Sequence, residues 1–227
     1  TQSTQMVTDN QTEDDYTYKS DYSSTTELLD SIEDLGERMS EEGTVLLKNN
    51  GALPLTKDET QKVTFLGFSS YFPIQGGDFG SSLVENKGTD ADTVDMVQAF
   101  EAKGYSLNPT VQNMYESMKE DFKSEAVLPW GVVTYYRATS PAVGGTFTSL
   151  EPSQEKLDKA EPAWKESMND YNVMVVTIAR AAGENTNYTP GEDGVNPDQD
   201  LNQADPLGLS DTERATIDAA VKAKEEN

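Results

Sequence analysis

The chain has no cysteine and no histidine. Without thiols there is no disulfide, no thiolate nucleophile and no cysteine-ligated metal, and the redox state of the compartment leaves no trace in the sequence. Without imidazole, zinc sites of the usual kind and Ser-His-Asp chemistry are excluded. Cations are scarce as well: 17 Lys and Arg stand against 41 Asp and Glu, a formal charge of −24 over 227 residues. Nucleic acid and anionic membrane surfaces would repel such a chain, so neither is expected as a partner. No run approaches the roughly 20 apolar residues of a membrane span, and the first residues carry no basic, apolar signal pattern. No membrane insertion is therefore expected within this segment. Acid/base work falls to carboxylates, which suits glycosyl transfer chemistry.

The length suffices for one sizeable α/β domain or two small ones. Its hydrophobic share is a modest 35 %, so part of the chain is expected to stay unpacked. Residues 1–24 are rich in Thr, Ser, Gln, Asp and Tyr without apolar periodicity, and read as a flexible or surface-draped arm. Tyr16, Tyr18 and Tyr22 leave room there for a short edge strand. Ser24 or Thr25 is placed to cap a helix running to about Glu42, whose Leu28, Ile32, Leu35 and Met39 share one face. That face is expected to be core. A short apolar run, Thr44 to Asn50, then meets a turn at Pro54.

Lys62 to Phe68 reads as a strand, followed by a segment in which Gly76, Gly77 and Gly80 permit unusual backbone and leave room for a ligand near Asp78. It lacks the lysine of a P-loop and the glycine spacing of a dinucleotide fold. Thr93 to Lys103 reads as a helix with Val94, Val97 and Phe100 inward, closed by Gly104. Pro109 opens the next, which carries Val111, Met114, Tyr115, Met118 and Phe122 at helical spacing.

Residues 124–152 change character to β-branched and aromatic residues broken by glycine and proline, a hairpin or inserted lobe. Trp130, Tyr135 and Tyr136 in it read as a miniature core, with stacking on a sugar ring as the alternative. Gln154 to Asn169 is helix-like and interrupted at Pro162. Val173 to Ala179 is apolar throughout apart from Thr177, as expected of a strand covered on both faces in a parallel sheet.

Ligands of such sheets bind beyond the carboxyl ends of the strands, where Arg180 to Glu184 would lie. From position alone, Glu184 reads as a solvated loop acid rather than a site residue. Asp198, Asp200 and Asn202 have the opening spacing of a calcium loop, but Gln203 replaces its glycine and Leu209 its closing acid. Ser210 and Glu213 form a capping box for a last helix, with Ile217 and Val221 expected on one face. Strands alternate with helices, so the class is α/β with a mainly parallel sheet. A further strand is expected after the last helix, so the sequence reads as a fragment.

Three separated pieces, in order, resemble the α/β-sandwich domain of glycoside hydrolase family 3, whose best-known members are β-glucosidases. EEGTVLLKNNGALPL (Glu41 to Leu55) is similar to the opening segment of that domain, KVTFLGF with GGDFGSS to its first strand and glycine loop, and VVTIARAAGEN to the strand and turn bearing the acid. LSDTERATIDAAV is similar to the helix that follows. The resemblance covers roughly residues 37–223.

It implies a partial three-layer α/β/α sandwich from residue 25 onward. A barrel domain of the same parent chain, outside these residues, would carry an aspartate nucleophile. Retaining hydrolysis needs two carboxyl groups flanking the glycosidic bond, and the resemblance assigns the general acid/base to Glu184. Glu85, in SSLVENKG, is the rival at the position where other members keep the acid. Gly77, Asp78 and Arg180 are the expected substrate-binding residues, β-glucosides or β-linked oligosaccharides the expected substrates, and no cofactor is expected. The family's habits also suggest an extracellular or cell-surface location. The turn reads GEN where the family commonly has GEG, and no Asp-Arg pair follows. That departure motivates a second reading, a carbohydrate-binding module that kept the scaffold without the chemistry.

Overall fold

The computed structural model describes residues 20–56, 62–73, 94–128, 131–136, 151–179 and 208–225, and the chain divides into two compact units, Thr1–Pro54 and Leu55–Asn227. In the first unit, α1 (Thr25–Gly43) starts where Ser24 Oγ accepts the Glu27 N–H at 3.1 Å and the Glu27 carboxylate accepts the Ser23 N–H at 2.7 Å. One orphan donor of the first turn is thereby used, and the N–H before the cap is tied down as well. The expected core face does not form: Leu28, Ile32, Leu35 and Met39 are all exposed, Met39 to 65 %, and α1 buries no residue. Among the described residues of this unit no second helix or strand stands against that face. Residues 44–49 follow without regular structure, with Val45, Leu46 and Leu47 exposed. Asn49 shapes the turn after them, its Oδ1 accepting the N–H groups of Gly51 and Leu53 and its Nδ2 donating to the Leu53 carbonyl.

The second unit is organised around β1 (Lys62–Leu66). Val63, Thr64, Phe65 and Leu66 are 0–1 % exposed, as in a central parallel strand. β2 (Ser106–Leu107) pairs along one edge and β5 (Val173–Val176) along the other, both parallel to β1, giving the order β2-β1-β5. The described chain is thus α/β with a small parallel sheet.

Two hydrophobic clusters grow from β1. Val63 and Phe65 pack with Val97 and Phe100 of α3 (Met96–Ala102), and with Val173 and Val175. Leu66 joins the larger cluster, with Val111, Met114 and Tyr115 of α4 (Pro109–Ser117) and Leu157 of α5 (Gln154–Ala160). Trp164 of α6 (Trp164–Ser167) and Ala220 and Ala223 of α7 (Asp211–Glu225) complete it. Alternate residues of the strand point to opposite sides, so α3 lies on one side of the sheet and α4 to α7 on the other.

Asn108 ties the larger layer to the sheet. Its Oδ1 accepts the N–H groups of Thr110 and Val111, capping α4, while its Nδ2 donates to Thr64 Oγ1 at 3.2 Å and Ser167 Oγ at 3.0 Å. A buried amide satisfied in this way holds strand and helices in one register.

Most helix expectations hold. Pro109 occupies the first turn of α4, Gly104 follows α3 with φ +85°, and the helix-like stretch from Gln154 breaks at Pro162 into α5 and α6. α3 starts later than expected, at Met96 with Asp95 as its cap, which leaves Val94 exposed. The hairpin in 124–152 is observed as β3 (Lys123–Leu128) paired antiparallel with β4 (Gly131–Tyr136). At α7 the capping box is present, Ser210 N–H to Glu213 Oε2 at 2.8 Å and Glu213 N–H to Ser210 Oγ at 3.2 Å. Its buried face is different from the expected one: Thr212, Glu213, Thr216, Ala220 and Ala223 turn inward, and Val221 is half exposed. Small residues there bring α7 close to the sheet.

Candidate functional site

The helix that precedes β2, α3, lies on one side of the sheet, and the described helix that follows β5, α7, lies on the other. Between the carboxyl ends of neighbouring strands so flanked lies the crevice that open α/β sheets use for ligands. Leu66 pairs with Val176, and the Thr177 N–H donates to the Leu66 carbonyl at 2.9 Å, so the two strands end level.

Gly67 makes this closeness possible. It takes φ +94°, and a Cβ at that position would fall on the Thr177 carbonyl oxygen. After it the chain turns at once into α2 (Phe68–Tyr71). Ser70 Oγ donates to the Leu66 carbonyl at 2.8 Å and lies 2.7 Å from Thr177 Oγ1, bridging the two strand exits. Tyr71 donates its hydroxyl to the Phe65 carbonyl at 2.9 Å and stacks on Tyr115, ring centroids 5.3 Å apart.

Behind the turn sits a buried acid. Glu151, 5 % exposed, accepts the Phe68 N–H at 2.9 and 3.2 Å through its two oxygens. The Tyr115 hydroxyl accepts the Gly67 N–H at 2.9 Å and is 3.4 Å from Glu151 Oε1, to which it donates. Burial pushes the Glu151 carboxyl up to about 8; the Phe68 N–H opposes this, the charge of Glu213 adds to it, and the Tyr115 hydroxyl opposes it weakly. Burial, together with the Glu151 charge, also holds the Tyr115 hydroxyl well above the ordinary tyrosine value. Glu151 acts as a tie between α4, the β1 exit and the segment entering α5.

Glu184, Glu85, Gly77, Asp78 and Arg180 lie outside the described residues, as do Trp130 and the calcium-like Asp198, Asp200 and Asn202. What the structure brings together is the pair of strand exits, after β1 and after β5, that precede them in sequence.

Ser70, Tyr115, Glu151 and Thr177 form a frame that sequence reasoning did not assemble. Thr177 had a visible signal, as the one polar residue in an apolar run. Glu151 had none, being one acid among 41. Among the described residues no group of three or more His, Cys, Asp or Glu side chains is arranged to hold a metal ion, and no helix is long and apolar enough to cross a membrane. A groove of about 550 Å³ lies elsewhere, beside the amino end of β5, lined by Met168, Asn169, Asp218, Ala219 and Lys222 among others. No protein-family model matches the chain, and neither the curated proteins nor the solved structures include one found similar to it.

Proposed function

We propose that this chain is part of a retaining exo-acting β-glycosidase acting on β-glucosides, a three-layer α/β/α sandwich that supplies the general acid/base to an active site shared with a barrel domain. Glu184 is the acid/base, Gly77, Asp78 and Arg180 contact the sugar, and the nucleophile is an aspartate of the barrel. The chemistry needs no cofactor. One carboxyl attacks the anomeric carbon while the other protonates the leaving oxygen, then serves as base for the water that releases the sugar.

The observation that carries this reading is the parallel pairing of β1 with β5, Leu66 opposite Val176. It supports a common site because the segment bearing Gly77 and Asp78 and the segment bearing Arg180 and Glu184 both depart from that one edge. The ordered sequence resemblance supplies the chemical assignment.

The test is turnover of two β-glucosides by the complete protein, one with an activated aryl leaving group and one with an alkyl leaving group. Glu184→Ala is expected to lower cleavage of the alkyl glucoside by roughly 10²–10⁴-fold, the range of general acid catalysis. The aryl glucoside should lose less, and added azide should restore its turnover, since the small anion replaces the base-assisted water. Unchanged cleavage of both would reduce Glu184 to a loop acid and pass the role to Glu85. The GEN turn favours one other reading, a carbohydrate-binding module. Sugar binding without turnover by the unmutated protein would establish it.

A further inference from the structure

Glu151 belongs to no helix or strand. It precedes Ser153, the cap of α5, and yet it is buried. An acid on a connecting segment is ordinarily left in water, because burying a carboxyl is costly unless it meets donors. Here the donors are the first backbone groups after β1. Both Glu151 oxygens accept the Phe68 N–H, and the Tyr115 hydroxyl, which donates to Glu151 Oε1, accepts the Gly67 N–H just before it. Phe68 opens α2, where its N–H has no acceptor within the helix. Two successive peptides at the β1 exit are thus oriented by one carboxyl and the phenol that leans on it.

That orientation reaches the neighbouring strand. Gly67 lies so close to the Thr177 carbonyl that no Cβ fits between them, so any rotation of the peptide at Gly67 alters the gap to the β5 exit. The Thr177 N–H returns to the Leu66 carbonyl, and Ser70 Oγ donates to that same carbonyl while lying 2.7 Å from Thr177 Oγ1. All these contacts start from residues 66–70, the stretch that Glu151 and Tyr115 hold. Glu213, the buried acid of the α7 capping box, faces Glu151 closely enough for its charge to act there, so the start of α7 closes round the same point.

We propose that Glu151 is a positioning residue of the crevice, setting the spacing and direction of the β1 and β5 exits through Phe68 and, by way of Tyr115, through Gly67. Its effect on a ligand passes through the backbone and not through contact with the ligand. Only the consequence for turnover rests on the glycosidase reading.

The test compares Glu151→Leu, which fills the space without an acceptor, with Glu151→Gln, which keeps one, in the complete protein. Hydrogen–deuterium exchange at single-amide resolution is read first. Relative to the amides of residues 63–65, which report the intact sheet, those of Gly67, Phe68 and Thr177 should exchange roughly 10-fold or more faster in Glu151→Leu and within about 3-fold of the wild type in Glu151→Gln. Should Glu151→Leu fail to fold, Tyr115→Phe removes only the acceptor of the Gly67 N–H and should release Gly67 and Thr177 in the same way. A Thr177 amide that keeps its wild-type rate would overturn the proposal, because the turn would then be braced without reaching β5. Turnover is read second. A misplaced contact remote from the chemistry should lower kcat/KM for the alkyl and the aryl glucoside by the same factor, roughly 10–100-fold in Glu151→Leu, unlike the unequal losses expected of Glu184→Ala. Unchanged values would overturn it, as would equal losses in Glu151→Leu and Glu151→Gln, which would trace the effect to charge. An unmutated protein that cleaves neither glucoside fails the glycosidase reading alone, and exchange at Thr177 still decides the role of Glu151.

Discussion

Glu151 and Gly67 sit on opposite sides of one peptide turn, and each can be tested by a single substitution. Glu151 has its carboxyl raised from 4.5 to about 8, with burial as the first cause. The folded protein thus holds a proton that the unfolded chain releases, and the stability this contributes is complete below about 4.5 and is lost as pH rises through about 8. Glu151→Gln keeps an oxygen for the Phe68 N–H and cannot ionise. Its melting temperature should match the wild type at pH 5 and exceed it at pH 9. Parallel melting profiles across that range would show that ionisation of Glu151 does not drive the loss.

Gly67→Ala acts on the same turn by geometry. At φ +94° the new methyl group meets the Thr177 carbonyl, so the β1 and β5 exits must separate. A loss of about 3 kcal/mol in urea unfolding is expected, above the cost of positive φ alone. A loss below about 1 kcal/mol would mean that the strand ends give way easily.

At the level of elements, what the sequence made legible follows the strength of its patterns. The apolar run of β5 pointed to a parallel sheet, because strands with apolar residues on both faces are typical of one. Caps were equally readable: Ser24, Pro109 and the Ser210–Glu213 pair act locally, and local chemistry is written in adjacent residues. Faces were harder. The face of α1 looked like core by spacing, but spacing records only that a face is apolar, not that anything packs against it.

In α7 the large residues Ile217 and Val221 mark an apolar face by size, yet the small Ala220 and Ala223 are the ones that pack into the cluster. The two alternatives predict opposite outcomes. Ala220→Leu, at a site 5 % exposed, overpacks the cluster and should cost about 1–3 kcal/mol, whereas Val221→Gln, at a site 50 % exposed, should stay within about 0.5 kcal/mol of the wild type. Chemical denaturation of the two variants decides the face. The frame of Ser70, Tyr115, Glu151 and Thr177 was illegible for a different reason. Glu151 and Phe68 are 83 residues apart, and no local pattern marks an acid destined for the interior.

Over the whole molecule the acids dominate. Of 17 cations against 41 acids, those whose ion pairs are on view are Arg38 with Glu42, Lys156 with Asp121 and Lys165 with Asp158, all at least partly exposed to water. Exposed pairs contribute little, about 0–1 kcal/mol each, whereas like charges spread over a compact fold repel across its surface. Salt shortens that repulsion, from a screening length of about 30 Å at 0.01 M to about 3 Å at 1 M. Repulsion summed over the excess of acids should fall faster with salt than the attraction of exposed ion pairs such as these. The melting temperature of the chain is therefore expected to climb steadily as sodium chloride rises from 0.01 to 0.5 M, steeply at the low end where the screening length shrinks most. Urea slopes measured alongside should stay constant, because the surface exposed on unfolding is unchanged. A melting temperature that falls over the same range would mean that attractive pairs, and not the excess of acids, set the electrostatic balance of the fold.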